Sequence, residues 1–111
     1  MQEIKRGQVY YCDFTIGSHK IGKVPCVIIS YMNKNVKSVA VFPLETDLLK
    51  SYMRANTNYK LSGNYEGTID GKCIYSFLTS IAVEDVFTYI TTLNTNDMNL
   101  VGQIIKEICC I

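Results

Sequence analysis

Three strand-like segments stand close together in the first half of the chain, and their spacing limits the fold more than any other feature. Residues 9–14 are rich in aromatic and β-branched side chains, residues 25–30 form a continuously apolar run, and residues 38–42 are again β-branched. Parallel neighbours would need long crossovers, and the intervening segments are too short for these. With a turn at 33–35, whose Asn residues tolerate left-handed backbone, the spacing predicts an antiparallel meander.

The rest of the chain up to residue 92 predicts shorter elements. They are, in chain order, one or two helical turns or a loop at 47–53, a short strand at 58–61, a longer strand at 73–78, a short helix at 82–87 and a last strand at 89–91. Ser80 is a suitable cap for the short helix, and acidic residues follow in its first turns, where the helix dipole favours them.

The C-terminal segment predicts the clearest helix. Asn94 is a good N-cap, and Asp97 stands three residues later, where a carboxylate suits the free amides of the first turn. An apolar stripe at helical spacing follows, formed by Met98, Val101, Ile104, Ile105 and Ile108. The fold class is therefore predicted to be mainly β with a C-terminal helix, as a small antiparallel β-barrel on which the helix packs.

Composition narrows the class of protein. With 111 residues, one domain over 1–111 is expected, and 48% hydrophobic residues with a net charge of +1 exclude a disordered chain. No apolar run reaches the roughly 18 residues of a spanning helix, and the first six residues are too charged for a signal peptide. Five scattered cysteines suggest neither a disulfide framework nor, with a single histidine, a metal site. A cytoplasmic protein without membrane contact is expected.

The small net charge conceals a strong asymmetry. Residues 1–60 hold nine Lys/Arg and four acidic residues, whereas residues 61–111 hold two lysines and six acidic residues. The basic half could present one face to a polyanion. Alternatively, the two halves fold together and mix their charges on one surface, and the sequence favours neither outcome.

The segment 15–23, between the first two strands, carries most of the groups that could act on a phosphodiester. It contains the hydroxyl of Ser18, the only imidazole at His19, the ammonium groups of Lys20 and Lys23, and two glycines. Backbone amides, compact cations and a group that titrates near neutral pH suit an anionic substrate. An ordinary solvated hairpin loop is the competing interpretation.

A second candidate cluster follows the third strand. The carboxylate of Glu45, at the end of that strand, could act as a general base if its surroundings adjust its pKa. Thr46 and Asp47 could equally cap the next turn. Lys50 and Arg54 come shortly after and could face phosphate, and the eight tyrosines and four phenylalanines offer surfaces on which bases could stack.

The order of these segments resembles the MazF/PemK family of toxins from type II toxin–antitoxin systems. The start at 5–11, KRGQVYY, resembles the family's RGxVYxx opening. Gly17-Ser18, Gly22 and the PCVII run at 25–29 are similar to its GSExGGxRPVLII stretch. VFPL at 41–44 resembles its VVPLT strand, and LTSI at 78–81 stands where QIRTI is usual. The resemblance spans nearly the whole chain and is most specific at its N-terminal end.

The resemblance implies both a fold and an activity. Members of this family are SH3-like barrels that form homodimers and cut single-stranded RNA without a metal ion or other cofactor. Cleavage leaves a 2′,3′-cyclic phosphate, and a cognate antitoxin protein blocks it. Under this interpretation Ser18, Lys20 and Arg54 are expected to contact the RNA.

Several positions depart from the family pattern. The family's catalytic arginine is replaced by Val24, and the usual Ser/Thr after the PL pair is Glu45. Phe77 and Thr79 stand in place of a Gln and an Arg, and Ser76 in place of an occasional Asp. A valine cannot stabilise an anionic transition state, and losing such a donor typically costs about 10²–10³ in rate.

Neighbouring groups could compensate for the missing arginine. If the site is active, Lys23 or Lys20 is expected to hold the phosphate, and Glu45 or His19 to act as the base. Adjacent residues of a regular strand point to opposite faces. Lys23 would therefore point away from the side that Val24 faces, and Thr46 away from the side that Glu45 faces, unless the backbone is irregular there. The alternative is an inactive dimer that binds a nucleic acid or a partner protein without cutting it.

Overall fold

Five β-strands and one long α-helix form the fold in a computed structural model that describes residues 3–30 and 37–109. In chain order they are β1 (Gln8–Ile16), β2 (His19–Ile28), β3 (Ser38–Pro43), β4 (Thr79–Ala82), β5 (Val86–Thr92) and α1 (Thr95–Cys109). Within those residues, no helix is both long and apolar enough to cross a membrane. The turn predicted at 33–35 lies outside the described residues.

The strands form one antiparallel sheet in the order β4-β3-β2-β1-β5. The predicted meander is confirmed, and the last strand returns to pair with the first. Because β4 and β5 remain edges, the barrel is an open one. β1 and β2 pair from Val9 opposite Val27 to Phe14 opposite Gly22, after which the register shifts. This irregularity ends the regular ladder just before the hairpin that carries the candidate loop.

Each face of the sheet covers its own apolar core, because successive strand residues point to opposite sides. Phe14 and Val24 belong to the first core, which also contains Leu49 and Tyr75 from the long connection between β3 and β4. The second core lies on the other face. It joins Val9 and Val27 to the helix side chains Val101 and Ile104, which are fully buried.

The C-terminal helix begins as predicted. The Asp97 amide donates to Oδ1 of Asn94 at 2.9 Å, which satisfies one free N–H of the first turn. The Asp97 carboxylate was expected to serve the same amides, and that expectation is wrong. It accepts instead from the amides of Ser62 and Gly63, both at 3.0 Å, and from Tyr65 Oη at 2.6 Å, because that loop brings its donors to the helix N-terminus.

Asp97 is 1% exposed. Within the described part of the chain, hydrogen-bond donors rather than a cationic side chain stabilise the charge of its carboxylate. Burial raises the pKa of Asp97, but the hydrogen bonds from Ser62, Tyr65 and Gly63 outweigh it and hold the pKa below its ordinary value. Burial and the bond to Asp97 raise the pKa of Tyr65 to about 12. The ionised carboxylate therefore fastens the loop at 62–65 to α1.

Three of the predicted elements in the connecting region are wrong. Residues 73–78 make only isolated bridges, Cys73 to Lys60 and Ile74 to Leu44, because no strand is available to pair beyond Tyr75. The strand predicted at 58–61 begins instead as the 3-10 helix Thr57–Tyr59, capped by Asn56. The helix predicted at 82–87 shrinks to the 3-10 turn Val83–Asp85, because the β-branched residues around it join β4 and β5.

The glycine at position 63 stands where the loop meets the helix. A Cβ there would lie 2.5 Å from Nδ2 of Asn94 and 2.7 Å from the Tyr65 hydroxyl, and neither group can move without losing a hydrogen bond.

Gly63→Ala is therefore expected to lower the free energy of unfolding by about 1–3 kcal/mol. Gly102→Ala, within α1 and with open space around the new methyl, should raise it by about 0.5–1 kcal/mol. Urea denaturation measures the free energy of unfolding of both variants. If Gly63→Ala were as stable as Gly102→Ala, the crowding described at Gly63 would be contradicted.

Candidate active site

The β1–β2 hairpin places its polar groups at the surface. Ser18, His19 and Lys20 are all exposed, and Gly17 adopts the left-handed φ of +58° that the tight turn requires. The His19 ring lies 6.1 Å from the ring of Tyr52, measured between centroids, so the hairpin touches the segment that follows β3. Lys20 Nζ lies 3.9 Å from Oδ2 of Asp13.

Lys23 and Val24 lie on opposite faces of β2. The Val24 side chain is fully buried in the first core. Lys23 is exposed, and its ammonium lies 5.2 Å from the centroid of the Phe87 ring on β5, within the range of a cation–π contact. A cation at position 23 therefore does not occupy the space that an arginine at position 24 would enter.

Glu45 is held in place by the backbone of Cys73. The Glu45 amide donates to the Cys73 carbonyl at 2.9 Å, and Glu45 Oε1 accepts from the Cys73 amide at 3.3 Å. Lys72 Nζ donates to the Glu45 carbonyl at 3.0 Å. The residue is only partly buried, so a fixed backbone presents a carboxylate that solvent and a ligand can reach. This placement suits a general base.

Thr46 acts as a cap for the next turn. Its Oγ1 accepts from the Leu49 amide at 3.1 Å and starts the 3-10 helix Leu49–Ser51, within the segment where helical turns were expected. The hydroxyl proton stays available to a ligand, because the hydrogen bond uses only an oxygen lone pair.

Two surface depressions meet at Glu45. The first, of about 330 Å³, is lined by Glu45, Thr46, Asp47, Lys50 and Lys72. The second, of about 440 Å³, is lined by Glu45, Lys50, Ser51, Tyr52, Met53, Arg54 and Ala55. We call the two together the Glu45 cleft. It combines the Glu45 carboxylate, held by one backbone hydrogen bond, and the exposed Asp47 carboxylate with three cationic side chains, of which Lys50 lies 3.5 Å from Asp47 Oδ1. Such an arrangement can bind a phosphodiester and accept a proton beside it.

The structure brings only some of the predicted residues together. Glu45, Thr46 and Arg54 line the Glu45 cleft, and His19 borders it through Tyr52. The residues that line the cleft do not include Ser18, Lys20 or Lys23. Lys50 and Lys72 line it as well, and Lys72 carries no motif in the sequence that would single it out. Among the described residues, no group of three or more His, Cys, Asp or Glu side chains is placed to hold a metal ion.

Tyr75 is a residue that the sequence did not single out. It is 3% exposed, and its hydroxyl has no hydrogen-bond partner within the described ranges. Burial raises the pKa of Tyr75, and the charge of Glu45 raises it further. The available signal was a tyrosine within the apolar run at 73–78, since a buried tyrosine needs a partner for its hydroxyl.

Comparisons with known proteins agree on one family. Residues 5–109 match the model of the PemK-like, MazF-like toxins of type II toxin–antitoxin systems. MazF from Deinococcus radiodurans (Form-I) superposes with a TM-score of 0.75 at 11% identity, covering all of both chains. The MazE–MazF crystal structure (Form-III) from the same organism gives 0.73 at 11% identity over 99% of each chain.

A third structure is an endoribonuclease in complex with its cognate antitoxin from a mycobacterial species. It gives a TM-score of 0.69 at 18% identity, covering 100% of this chain and 97% of that one. At such low identities these likenesses show the fold alone. No curated protein sequence matches the chain significantly.

Proposed function

The chain belongs to the PemK-like, MazF-like toxins of type II toxin–antitoxin systems, and from this premise we propose that it is a metal-independent endoribonuclease of single-stranded RNA. The observation that carries the proposal is the Glu45 carboxylate, which Cys73 holds beside Lys50, Lys72 and Arg54 in one cleft. The related structures described as endoribonucleases support it, because they share the fold over nearly the whole chain.

Glu45 takes the proton of a ribose 2′-hydroxyl in the proposed reaction. The 2′ oxygen then attacks the adjacent phosphorus, the bond from phosphorus to the 5′ oxygen breaks, and a proton from the surroundings completes a 5′-hydroxyl on the leaving strand. The other product ends in a 2′,3′-cyclic phosphate. His19, which borders the cleft, is the second candidate for the base.

Charge builds up on the phosphorane in this reaction, and without a metal the protein's own donors must stabilise it. Lys50 and Lys72 are proposed for this role because both line the cleft beside Glu45. Thr46 offers a further hydroxyl donor to the phosphate. Lys20 and Lys23, which line neither part of the cleft, are proposed to contact the RNA strand on either side of the cleaved bond.

The experiment is incubation of the purified protein with a mixed-sequence single-stranded RNA in EDTA. Fragments that end in a 2′,3′-cyclic phosphate are expected, and mass spectrometry distinguishes them from 3′-phosphates. Intact RNA at a large excess of protein would rule out the proposed cleavage.

A second candidate function is binding without cleavage. It is favoured by Val24, which stands fully buried where the family's catalytic arginine is expected. Under this alternative the protein retains RNA in a salt-dependent manner but leaves it intact in the same incubation. Cleavage in EDTA would exclude it.

The domain organisation, oligomeric state, location and control of this chain are also proposed from its membership of the family. Residues 1–111 are proposed to act as one domain, as a homodimer, in the cytoplasm, and under the control of an antitoxin protein. The MazE–MazF structure and the endoribonuclease–antitoxin structure support the last point for related chains. A small acidic reading frame directly upstream, whose product forms a stable complex with this chain, is the expected finding.

A further inference from the structure

We propose that a third surface depression, beside the Glu45 cleft, holds one unpaired base of the RNA and selects guanine. It measures about 250 Å³ and is lined by Met53, Arg54, Tyr75, Ser76 and Phe77; we call it the base pocket. Its size is small beside the roughly 300–1,000 Å³ of sites for drug-sized ligands, which suits a single base. This inference rests on the proposed function, because it assigns a position to part of the same RNA.

Tyr75 provides the first reason. Its hydroxyl is buried and lacks a hydrogen-bond partner among the residues described. Nearly all buried polar groups in folded proteins are paired, so an unpaired hydroxyl on a tyrosine that lines a depression calls for a partner from outside. A base edge with an oxygen or ring-nitrogen acceptor would supply that partner.

Phe77 provides a stacking surface. Its side chain is 39% exposed although it is apolar, and its ring packs edge-on against Phe14 of β1 with 6.1 Å between centroids. The contact with the core fixes the ring while one side stays open to solvent. Proteins that bind single strands use such aromatic rings to stack bases.

Arg54 determines which base fits. Its exposed guanidinium lines the pocket and can donate only, and the Tyr75 hydroxyl is free to donate as well. Guanine presents O6 and N7 as paired acceptors that match the guanidinium fork. Adenine and cytosine present an amino donor at the corresponding edge, and uracil lacks N7.

The base pocket is continuous with the Glu45 cleft. Met53 and Arg54 line both of them, so a base in the pocket belongs to a nucleotide next to the phosphate that Glu45 faces. Recognition here would therefore decide which bond is cut, and not only how tightly RNA is held.

The test measures binding by fluorescence anisotropy with 2′-O-methylated hexanucleotides, which cannot be cut. The probes are a uridine hexamer and hexamers carrying one guanine, adenine, cytosine or 7-deazaguanine. The guanine hexamer is expected to bind on the order of 10-fold more tightly than the uridine hexamer, and 7-deazaguanine should lose most of that preference because it lacks N7. This comparison leaves the protein unchanged, so it does not depend on any variant folding.

Variants then assign the preference to the pocket. Tyr75→Phe removes only the hydroxyl and is expected to reduce the guanine preference several-fold with little change in affinity for the uridine hexamer. Arg54→Gln should abolish the preference. Tyr11→Phe removes a hydroxyl from an exposed tyrosine on β1 and should change neither.

The outcomes separate this inference from the proposed function. If the protein cuts RNA but binds all hexamers equally, or if Tyr75→Phe keeps the full preference, the base pocket is overturned and the nuclease proposal stands. If the unaltered protein neither binds nor cuts RNA, both proposals fail.

Discussion

Glu45→Gln is expected to lower the rate of RNA cleavage by about 10²- to 10⁴-fold, because an amide cannot accept the proton of the ribose 2′-hydroxyl. The glutamine oxygen can still accept from the Cys73 amide, as Glu45 Oε1 does at 3.3 Å. The substitution therefore removes the base while keeping the contact that positions it. The single-turnover rate on a labelled single-stranded RNA is the measurement.

The matched control is Glu84→Gln, at an exposed carboxylate in the 3-10 turn Val83–Asp85. It makes the same change of charge away from the residues that line the Glu45 cleft and should leave the rate within about a factor of two. Unchanged urea midpoints for both variants would show that the fold is intact. A Glu45→Gln protein that cuts at the normal rate would remove Glu45 from the mechanism and leave His19 as the candidate base.

Asp97→Ala is expected to lower the free energy of unfolding by about 3 kcal/mol. The substitution leaves the amides of Ser62 and Gly63 and the Tyr65 hydroxyl facing a space without an acceptor, and unpaired buried donors cost about 1–3 kcal/mol each before the loop relaxes. Asn99→Ala, at an exposed position on the same helix, is the control and should change stability by less than about 0.5 kcal/mol. Urea denaturation measures both, and a loss for Asp97→Ala no larger than that of the control would contradict the role given to the carboxylate.

The same carboxylate also makes stability depend on pH. Because the folded pKa of Asp97 lies below its ordinary value of 3.8, its contribution is fully present above that ordinary pKa. The contribution is lost as the pH falls through the lower, folded pKa. Asp97→Asn cannot titrate at this position, so the stability difference between the unaltered protein and this variant should shrink below about pH 4. A difference that stays constant from pH 7 to pH 3 would contradict the lowered pKa.

The first half of the fold was predictable because its signals are local. The apolar run at 25–30 can only be a buried strand with neighbours, and its flanking segments are too close for anything but antiparallel pairing. The helix was equally clear from Asn94 and the stripe that includes Val101 and Ile104. The strand predicted at 73–78 did not form, because residues with high β propensity make a strand only where a partner strand is available. The fold as a whole determines which partners are available.

The candidate site was predictable in part for the same reason. Glu45 is suggested by its place at the end of a strand, whereas Lys72 and Tyr75 join it only because residues 73–75 pair with 43–45 from a distant part of the chain. The orientation of Lys23 and Val24 follows from strand alternation, but the contact between Lys23 and Phe87 requires the β1–β5 pairing. Local patterns thus identify the groups, and long-range pairing decides which of them meet.

The pairing of β1 with β5 has a consequence for the order of events during synthesis. The first strand acquires its second neighbour only when Val86–Thr92 has been made, and the Leu93 amide then donates to the Gly7 carbonyl at 2.9 Å. Topologies dominated by such distant pairings fold slowly, because a large loop must close before its contacts form. A chain emerging from a ribosome therefore cannot complete this sheet until residues 86–92 have been synthesised.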